Sequence, residues 1–230
     1  MNVVAFDVRS TVGHFRRPDT TATHLTYPFI TPTAVRGLVG AILGIEDFVT
    51  KDKIGIQLLT PVQTSAQQMS MLGKDGGSVF NRPTTIELLV NPAYRIYYVG
   101  DEYGEELVES LKNKRSVYQT YLGSAFAITT PKLHDIFPYT QATGDDLLKS
   151  NTVVPVHAIE HLEIEPDKDY SRASGFMCHY LGHRTFEHSI DFIYEKQGKP
   201  IYFRPEKNME AETDKPVDIV KKGDGVICLF

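Results

Sequence analysis

The chain has 230 residues and a formal net charge of −5; 41% of its residues are hydrophobic and 23% charged. That composition fits a globular chain able to bury a core and argues against disorder. It also argues against a free-standing nucleic-acid binder, which is usually basic overall, while leaving room for a local basic patch.

No apolar run approaches the roughly 18 residues that a membrane span needs. Met1–Asp7 lacks the basic and long apolar regions of a signal peptide. Two cysteines, Cys178 and Cys228, are too few for a disulfide framework. A cytoplasmic protein without a membrane partner is the expectation. Trp is absent, but 12 Tyr and 12 Phe supply stacking partners.

In chain order, residues 2–9 read as a strand with Val4, Phe6 and Val8 on one face. Residues 14–30 are polar, carry Pro18 and Pro28, and read as a loop. A helix is expected from Thr33 to Gly44, with Thr31 as N-cap and Pro32 in its first turn. Residues 54–63 form a second strand candidate, and 84–99 resume as strand with a bulge or edge at Pro92. Between them, 65–83 has little apolar periodicity and reads as a finger-like hairpin, with Gly76 and Gly77 at its tip. A second helix is expected over 101–112, with Leu107, Val108 and Leu111 inward. Ala125-Phe126-Ala127-Ile128 reads as a further strand.

This order of strand, helix, strand, strand, helix, strand is the split βαβ arrangement of ferredoxin-like domains, common among RNA-recognition modules. The remainder is richer in β signals: 153–164, a hairpin of 188–194 with 201–203 around Lys196-Gln197-Gly198-Lys199, and 226–230. The expected class is α+β: a ferredoxin-like, RRM-like domain over 1–145 with a hairpin insertion at about 64–84, then a β-rich part over 146–230. The boundary is placed in the polar stretch 140–150, which contains Gly144.

The loop concentrates Arg16, Arg17, His24 and Tyr27 among threonines. Guanidinium forks suit phosphates, and the loop runs into a helix N-terminus at Thr33, where free N–H groups favour an anion. The helix has a large apolar stripe, Val35, Leu38, Val39 and Ile42, and an opposite face of Gly37, Gly40, Ala41 and Gly44. Glycine inside a helix costs about 1 kcal/mol against alanine, so three of them imply a close approach by another backbone or a nucleic-acid strand. Arg36 lies between the two faces.

Phe15-Arg16-Arg17-Pro18-Asp19 and the run from Leu25 to Gly44, which contains Thr31-Pro32-Thr33-Ala34-Val35-Arg36-Gly37-Leu38, resemble the N-terminal signature of the "Cas five" family. Tyr121-Leu122-Gly123 resembles that family's later glycine motif. These are RAMP-type RNA-binding subunits of type I CRISPR surveillance complexes (Cascade), and the form resembles the type I-B branch. The resemblance implies antiviral defence. It implies a subunit that holds the 5′ handle of the CRISPR RNA and caps the backbone next to the large subunit. Target DNA would be met through the complex. It further implies that residues 65–83 form a thumb crossing the guide. The RNA contacts expected on this basis are Arg16, Arg17, His24, Tyr27, Thr33, Arg36, Gln67, Gln68, Lys74, Arg82, Arg115 and Gly123, with no cofactor and no metal.

One branch of that family, in type I-C systems, cleaves precursor CRISPR RNA with a tyrosine, histidine and lysine cluster. His24 and Tyr27 are the residues here that could serve such an endoribonuclease. The Lys-His pair of that branch is not evident: Lys112 and Lys114 have no neighbouring histidine, and Lys132-Leu133-His134 is spaced differently. A binding protein rather than an enzyme is the preferred reading. A zinc site from Cys178, His179, His183 and His188 is disfavoured, because structural cysteine pairs are missing and Gly182 weakens the helix that would align His179 with His183.

Overall fold

The computed structural model describes residues 1–20, 22–75, 77–142, 146–206 and 217–230. Gly76 and Gly144 therefore lie outside the described residues. The architecture is mostly β, with two α-helices and several antiparallel sheets.

The first strand, β1 (Asn2–Arg9), continues after a short gap as β2 (Val12–Gly13). Helix α1 (Pro32–Leu43) starts where expected: the Thr31 side-chain oxygen accepts from the Ala34 N–H at 3.1 Å, and Pro32 occupies the first turn. It ends at Gly44, in the left-handed region at φ 83°. Then come β3 (Lys53–Leu58), β4 (Thr64–Asp75), β5 (Ser78–Val90) and β6 (Ala93–Val99), followed by α2 (Gly104–Lys112) and β7 (Lys132–Pro138).

The main sheet has the order β3-β6-β1-β7, with every pairing antiparallel. Helix α1 links β1 to β3, and α2 links β6 to β7. The β4–β5 hairpin is inserted between β3 and β6 and forms its own sheet with β2. It extends beyond the expected 64–84, because β5 runs on to Val90. The strand expected over 84–99 breaks at Asn91-Pro92, where Asn91 adopts φ 49° and proline can donate no ladder hydrogen bond.

Both faces of β1 are buried. Val4, Phe6 and Val8 join the principal core, while Val3 and Ala5 pack with Tyr97, Val99, Val220, Ile227 and Leu229. This explains why Val3-Val4-Ala5-Phe6 is a continuous apolar run instead of an alternation.

The rest of the chain supplies β8 (Leu148–Ser150), β9 (Val154–Pro155), β10 (Ile159–Glu163), β11 (Tyr170–Met177), β12 (Ser189–Glu195), β13 (Ile201–Pro205), β14 (Asp218–Lys222) and β15 (Gly225–Leu229). They form two sheets, ordered β10-β13-β8-β15-β14 and β11-β12-β9. Three local expectations are corrected here. The strand read over 153–164 is interrupted by a 3-10 turn over Val156–Ala158, just after Pro155. The hairpin of 188–194 with 201–203 does not form: β12 and β13 enter different sheets, and β12 pairs with β11. The buried Glu195 carboxylate holds this junction, accepting N–H bonds from Asp169, Gln197 and Lys199 at 3.0, 2.9 and 2.7 Å. Ala125–Ile128 is not a strand either. It is a loop closed by a Tyr121–Ile128 bridge and a Leu122 N–H to Ala127 carbonyl bond of 2.8 Å. The fourth strand of the main sheet is β7.

The principal core runs across both parts of the chain. Phe29, from the polar loop, stacks on Phe176 at 4.9 Å between ring centroids and meets Phe192 and Tyr194 edge-on at 5.9 and 5.3 Å. Ile54 and Phe230 exchange backbone bonds of 3.1 and 2.9 Å. Gly55 makes that approach possible, because a Cβ there would lie 2.7 Å from the Cys228 carbonyl oxygen.

Candidate nucleic-acid interface

The loop between β2 and α1 is ordered by the foot of the hairpin. Arg16 bridges Thr26 across the loop, and His24 forms a parallel bridge to Ile86 on β5. The His24 N–H donates to the Thr85 carbonyl at 2.9 Å, and the Glu87 N–H donates to the His24 carbonyl at 3.0 Å. The Glu87 carboxylate accepts from the Thr26 N–H at 3.1 Å, and its backbone carbonyl lies 2.8 Å from His14 Nδ1. The loop is thus stitched along β5.

This stitching gathers cationic groups from separate stretches of chain. The His24 imidazole is held below its ordinary pKa, first by desolvation and then by the fields of Arg16, His14 and Arg82. Arg16 and Arg82 are both exposed. Arg16 makes one weak bond, donating to the Thr20 carbonyl at 3.4 Å. Arg17 is differently engaged, its guanidinium gripping Asp19 through two bonds of 3.1 and 2.5 Å. The fields of Arg16 and Arg82 both reach His24, so the foot is locally electropositive and favourable to a polyanion.

Beside the foot lies a groove of about 530 Å³ between α1 and the loop after α2, lined by Ala34, Gly37, Ala41, Tyr118, Tyr121 and Gly123. Gly37 is open: a Cβ there would meet nothing within 4 Å. The other two helix glycines are explained by the chain itself, Gly40 against Ile45 and Phe48, and Gly44 against Val117. Tyr118 and Tyr121 are exposed along the groove, and Phe126 and Ile128 extend the apolar surface. Sequence reasoning did not offer these aromatics as contacts: Tyr121 entered only within the glycine motif, and Ala125–Ile128 was read as a strand. Gly123, at φ 81°, presses its Cα against the His14 carbonyl and the Phe15 ring, which joins groove to foot.

Other expected contacts are dispersed. Tyr27 is buried, its hydroxyl donates to the Gly175 carbonyl at 2.8 Å, and its ring lies 4.4 Å from Phe176. It therefore offers no free face for a base, and burial raises its pKa. Thr33 pairs with Thr31 at 3.0 Å at the start of α1. Arg36 is buried and lines a different cavity. Arg115 is exposed beyond the end of α2, in a recess that also holds Glu106 and Glu109. On the hairpin, Met71 faces Arg82 and Gln67 faces Ile86. The alternation of the pleat then puts Gln67 and Arg82 on one face, and Gln68 and Lys74 on the other. The four expected contacts do not share a surface.

The cysteine–histidine group is rearranged relative to the helix considered for it. Tyr180 bridges Phe186, His183 and Arg184 adopt φ 50° and 62° in the intervening turn, and buried Cys178 directs its thiol to the His188 carbonyl. Among the described residues, no group of three or more His, Cys, Asp or Glu side chains is placed to hold a metal ion. No described helix is long and apolar enough to cross a membrane.

Comparison with known proteins was made on this geometry. Residues 3–62 match the family described as "CRISPR-associated protein (Cas_Cas5)". Over this N-terminal segment the chain is similar to the Cas5 family. The match spans β1, the stitched loop, α1 and β3. No curated protein matches the sequence. Among solved structures, a CRISPR protein from Archaeoglobus fulgidus is similar with a TM-score of 0.56 at 11% identity, covering 99% of this chain and 98% of that one. A chain of a CRISPR RNA-guided surveillance complex matches with a TM-score of 0.55 at 11% identity, covering 87% and 91%. A chain of a Type III-B Cmr-beta complex bound to cognate target RNA and AMPPnP matches with a TM-score of 0.50 at 8% identity, covering 94% and 89%. At such identities the likeness is one of fold.

Proposed function

We propose that this chain is a Cas5-family protein and a non-catalytic RNA-binding subunit of a type I Cascade of I-B-like form. In this reading it holds the 5′ handle of the CRISPR RNA, caps the backbone beside the large subunit and meets target DNA through the assembled complex. The observation that carries the reading is the Arg16- and His24-bearing loop stitched along β5 at the hairpin foot, next to a groove edged by Gly37, Tyr118 and Tyr121. Phosphates would engage the cations, and bases would stack on the tyrosines. The strand order β3-β6-β1-β7, with helices after the first and third strands of that set, supports a ferredoxin-like RAMP framework with the β4–β5 hairpin as its thumb.

Binding rather than cleavage is favoured by the state of Tyr27. A tyrosine acting on the 2′-OH needs an accessible oxygen, and this one is spent on the Gly175 carbonyl. Incubating the pure protein with a repeat-containing RNA in EDTA tests the reading. A retarded, intact RNA is expected, and site-specific cleavage would establish the endoribonuclease instead.

The affinity also carries a pH signature. His24 is held low by desolvation and by neighbouring cations. A bound phosphate favours the imidazolium and raises its pKa, so binding takes up a proton. RNA affinity is expected to rise as pH falls through the ordinary histidine range near 6.5 and below it. His24→Gln should flatten this profile, as read by fluorescence anisotropy across a pH series at constant salt.

A further inference from the structure

On the flank of α1 away from Gly37 lies a cavity of about 580 Å³, bounded by Thr50, Phe230 and the turn after β11. Its size is that of a small-ligand site. Arg36 lines it while remaining only 5% exposed. One guanidinium nitrogen, Nη2, donates to the Asp52 carbonyl at 3.5 Å. The other two, Nε and Nη1, are buried with no hydrogen-bond partner among the described residues. A buried guanidinium with one of three nitrogens bonded is costly, and Asp52 favours its charge through the field without bonding to it through the carboxylate. The Asp52 carboxylate is occupied by the Tyr98 hydroxyl at 2.5 Å and the Tyr103 N–H at 3.3 Å.

We propose that this cavity is a phosphate site in which Arg36 receives the phosphate of a nucleotide or of an RNA chain. Two features favour a tetrahedral anion. The free donors Nε and Nη1 diverge on different edges of the guanidinium, so an anion in the cavity meets one of them and must take its further bonds from other groups, which suits an ion with several oxygens. His179 and His188, which also line the cavity, stand edge-to-face with centroids 5.4 Å apart and add imidazole donors from a second direction. Burial and the field of Arg36 hold His179 below its ordinary pKa, a cost that an anion between them would offset. Lys53 also lines the site but is tied to Asp218 at 2.6 Å. Glu102 and Glu187 line it and would oppose an anion, whereas Lys51 would favour one.

The site does not rest on the RNA contact proposed at the hairpin foot. The titrations are made in the Arg16→Ala/Arg82→Ala background, which removes the foot's own contacts, so failure of one assignment is distinguishable from failure of the other. The test is calorimetric titration of the full chain with inorganic phosphate, adenosine monophosphate and acetate. Saturable binding of phosphate and of the nucleotide is expected, with acetate at least tenfold weaker. Arg36→Met, which removes a buried charge while keeping the side chain's length, should lose at least tenfold in affinity. If that variant does not fold, His179→Gln should still weaken binding several-fold and remove its increase at lower pH. Displacement of phosphate by a repeat RNA would assign the anion to the RNA chain, and displacement by the mononucleotide alone would assign it to a free nucleotide. Absence of phosphate binding at millimolar concentration, acetate binding as tight as phosphate, or unchanged affinity in the folded variants would overturn the proposal.

Discussion

Phe29→Ala is expected to destabilise the protein by about 3–5 kcal/mol, the usual loss for truncating a buried phenylalanine. Phe29 is fully buried and contacts rings from two later strands, Phe176 on β11 and Phe192 and Tyr194 on β12. Its removal leaves a void that those strands cannot fill without breaking their own pairing. For a chain of this size the loss corresponds to roughly 6–20 °C in Tm. Phe29→Leu keeps much of the volume and should lose about half as much. Thermal unfolding followed by circular dichroism reads both. A shift below about 2 °C for the alanine variant would mean that the loop does not anchor the later strands as described. Because the same residue fixes Tyr27 and the loop ahead of α1, RNA affinity should fall as well.

Gly123→Ala has the next largest expected effect. The residue adopts φ 81°, which costs an L-residue about 1–2 kcal/mol. The added Cβ would also lie 2.0 Å from the His14 carbonyl oxygen and 2.9 Å from the Phe15 ring. That oxygen belongs to backbone, so β2 and the start of the stitched loop must move. Together these terms predict a loss of about 2–4 kcal/mol. The His14 N–H to Leu122 carbonyl bond of 3.1 Å lies at the same contact and should weaken. Hydrogen exchange at His14 would report this directly, with faster exchange expected in the variant. Gly37→Ala is the control. Its Cβ meets nothing within 4 Å, so stability should hold, or rise slightly with helix propensity, while any RNA effect reports occupancy of the groove.

Much of the N-terminal framework was legible in sequence. Thr31 and Pro32 marked the start of α1 through cap chemistry that acts locally. The glycine-bearing stretch between two strands marked the hairpin. The misreadings came where a distant group decided the local structure. Ala125–Ile128 has strand-like residues, yet the positive φ of Gly123 and the Tyr121–Ile128 bridge fold it into a loop. The segments around Lys196–Lys199 carry a hairpin signal, but Glu195 ties the turn to Asp169 and sends the flanking strands to different sheets.

The candidate site was legible only in part, for a similar reason. Arg16 and His24 were visible as a basic loop. Their position beside the strand that carries Arg82 depends on the loop lying along β5, which no local pattern records. Tyr27 and Arg36 bear suitable chemistry for RNA, but nothing in their neighbours announced that both would be buried. Tyr118 and Tyr121 were not offered as contacts, because their exposure along the groove depends on the fold of the loop after α2.

The central claim is that the hairpin foot grips RNA phosphates without cutting the chain. Its most direct measurement is the salt dependence of affinity for a labelled repeat RNA in EDTA, comparing the unaltered protein with Arg16→Ala/Arg82→Ala. Two lost phosphate contacts should reduce the slope of log K against log salt by about 1.4, since each contributes about 0.7 on a single strand. Affinity at low salt should fall at least tenfold, with the RNA intact throughout. An unchanged slope and affinity, or RNA cleaved at one site, would contradict the account.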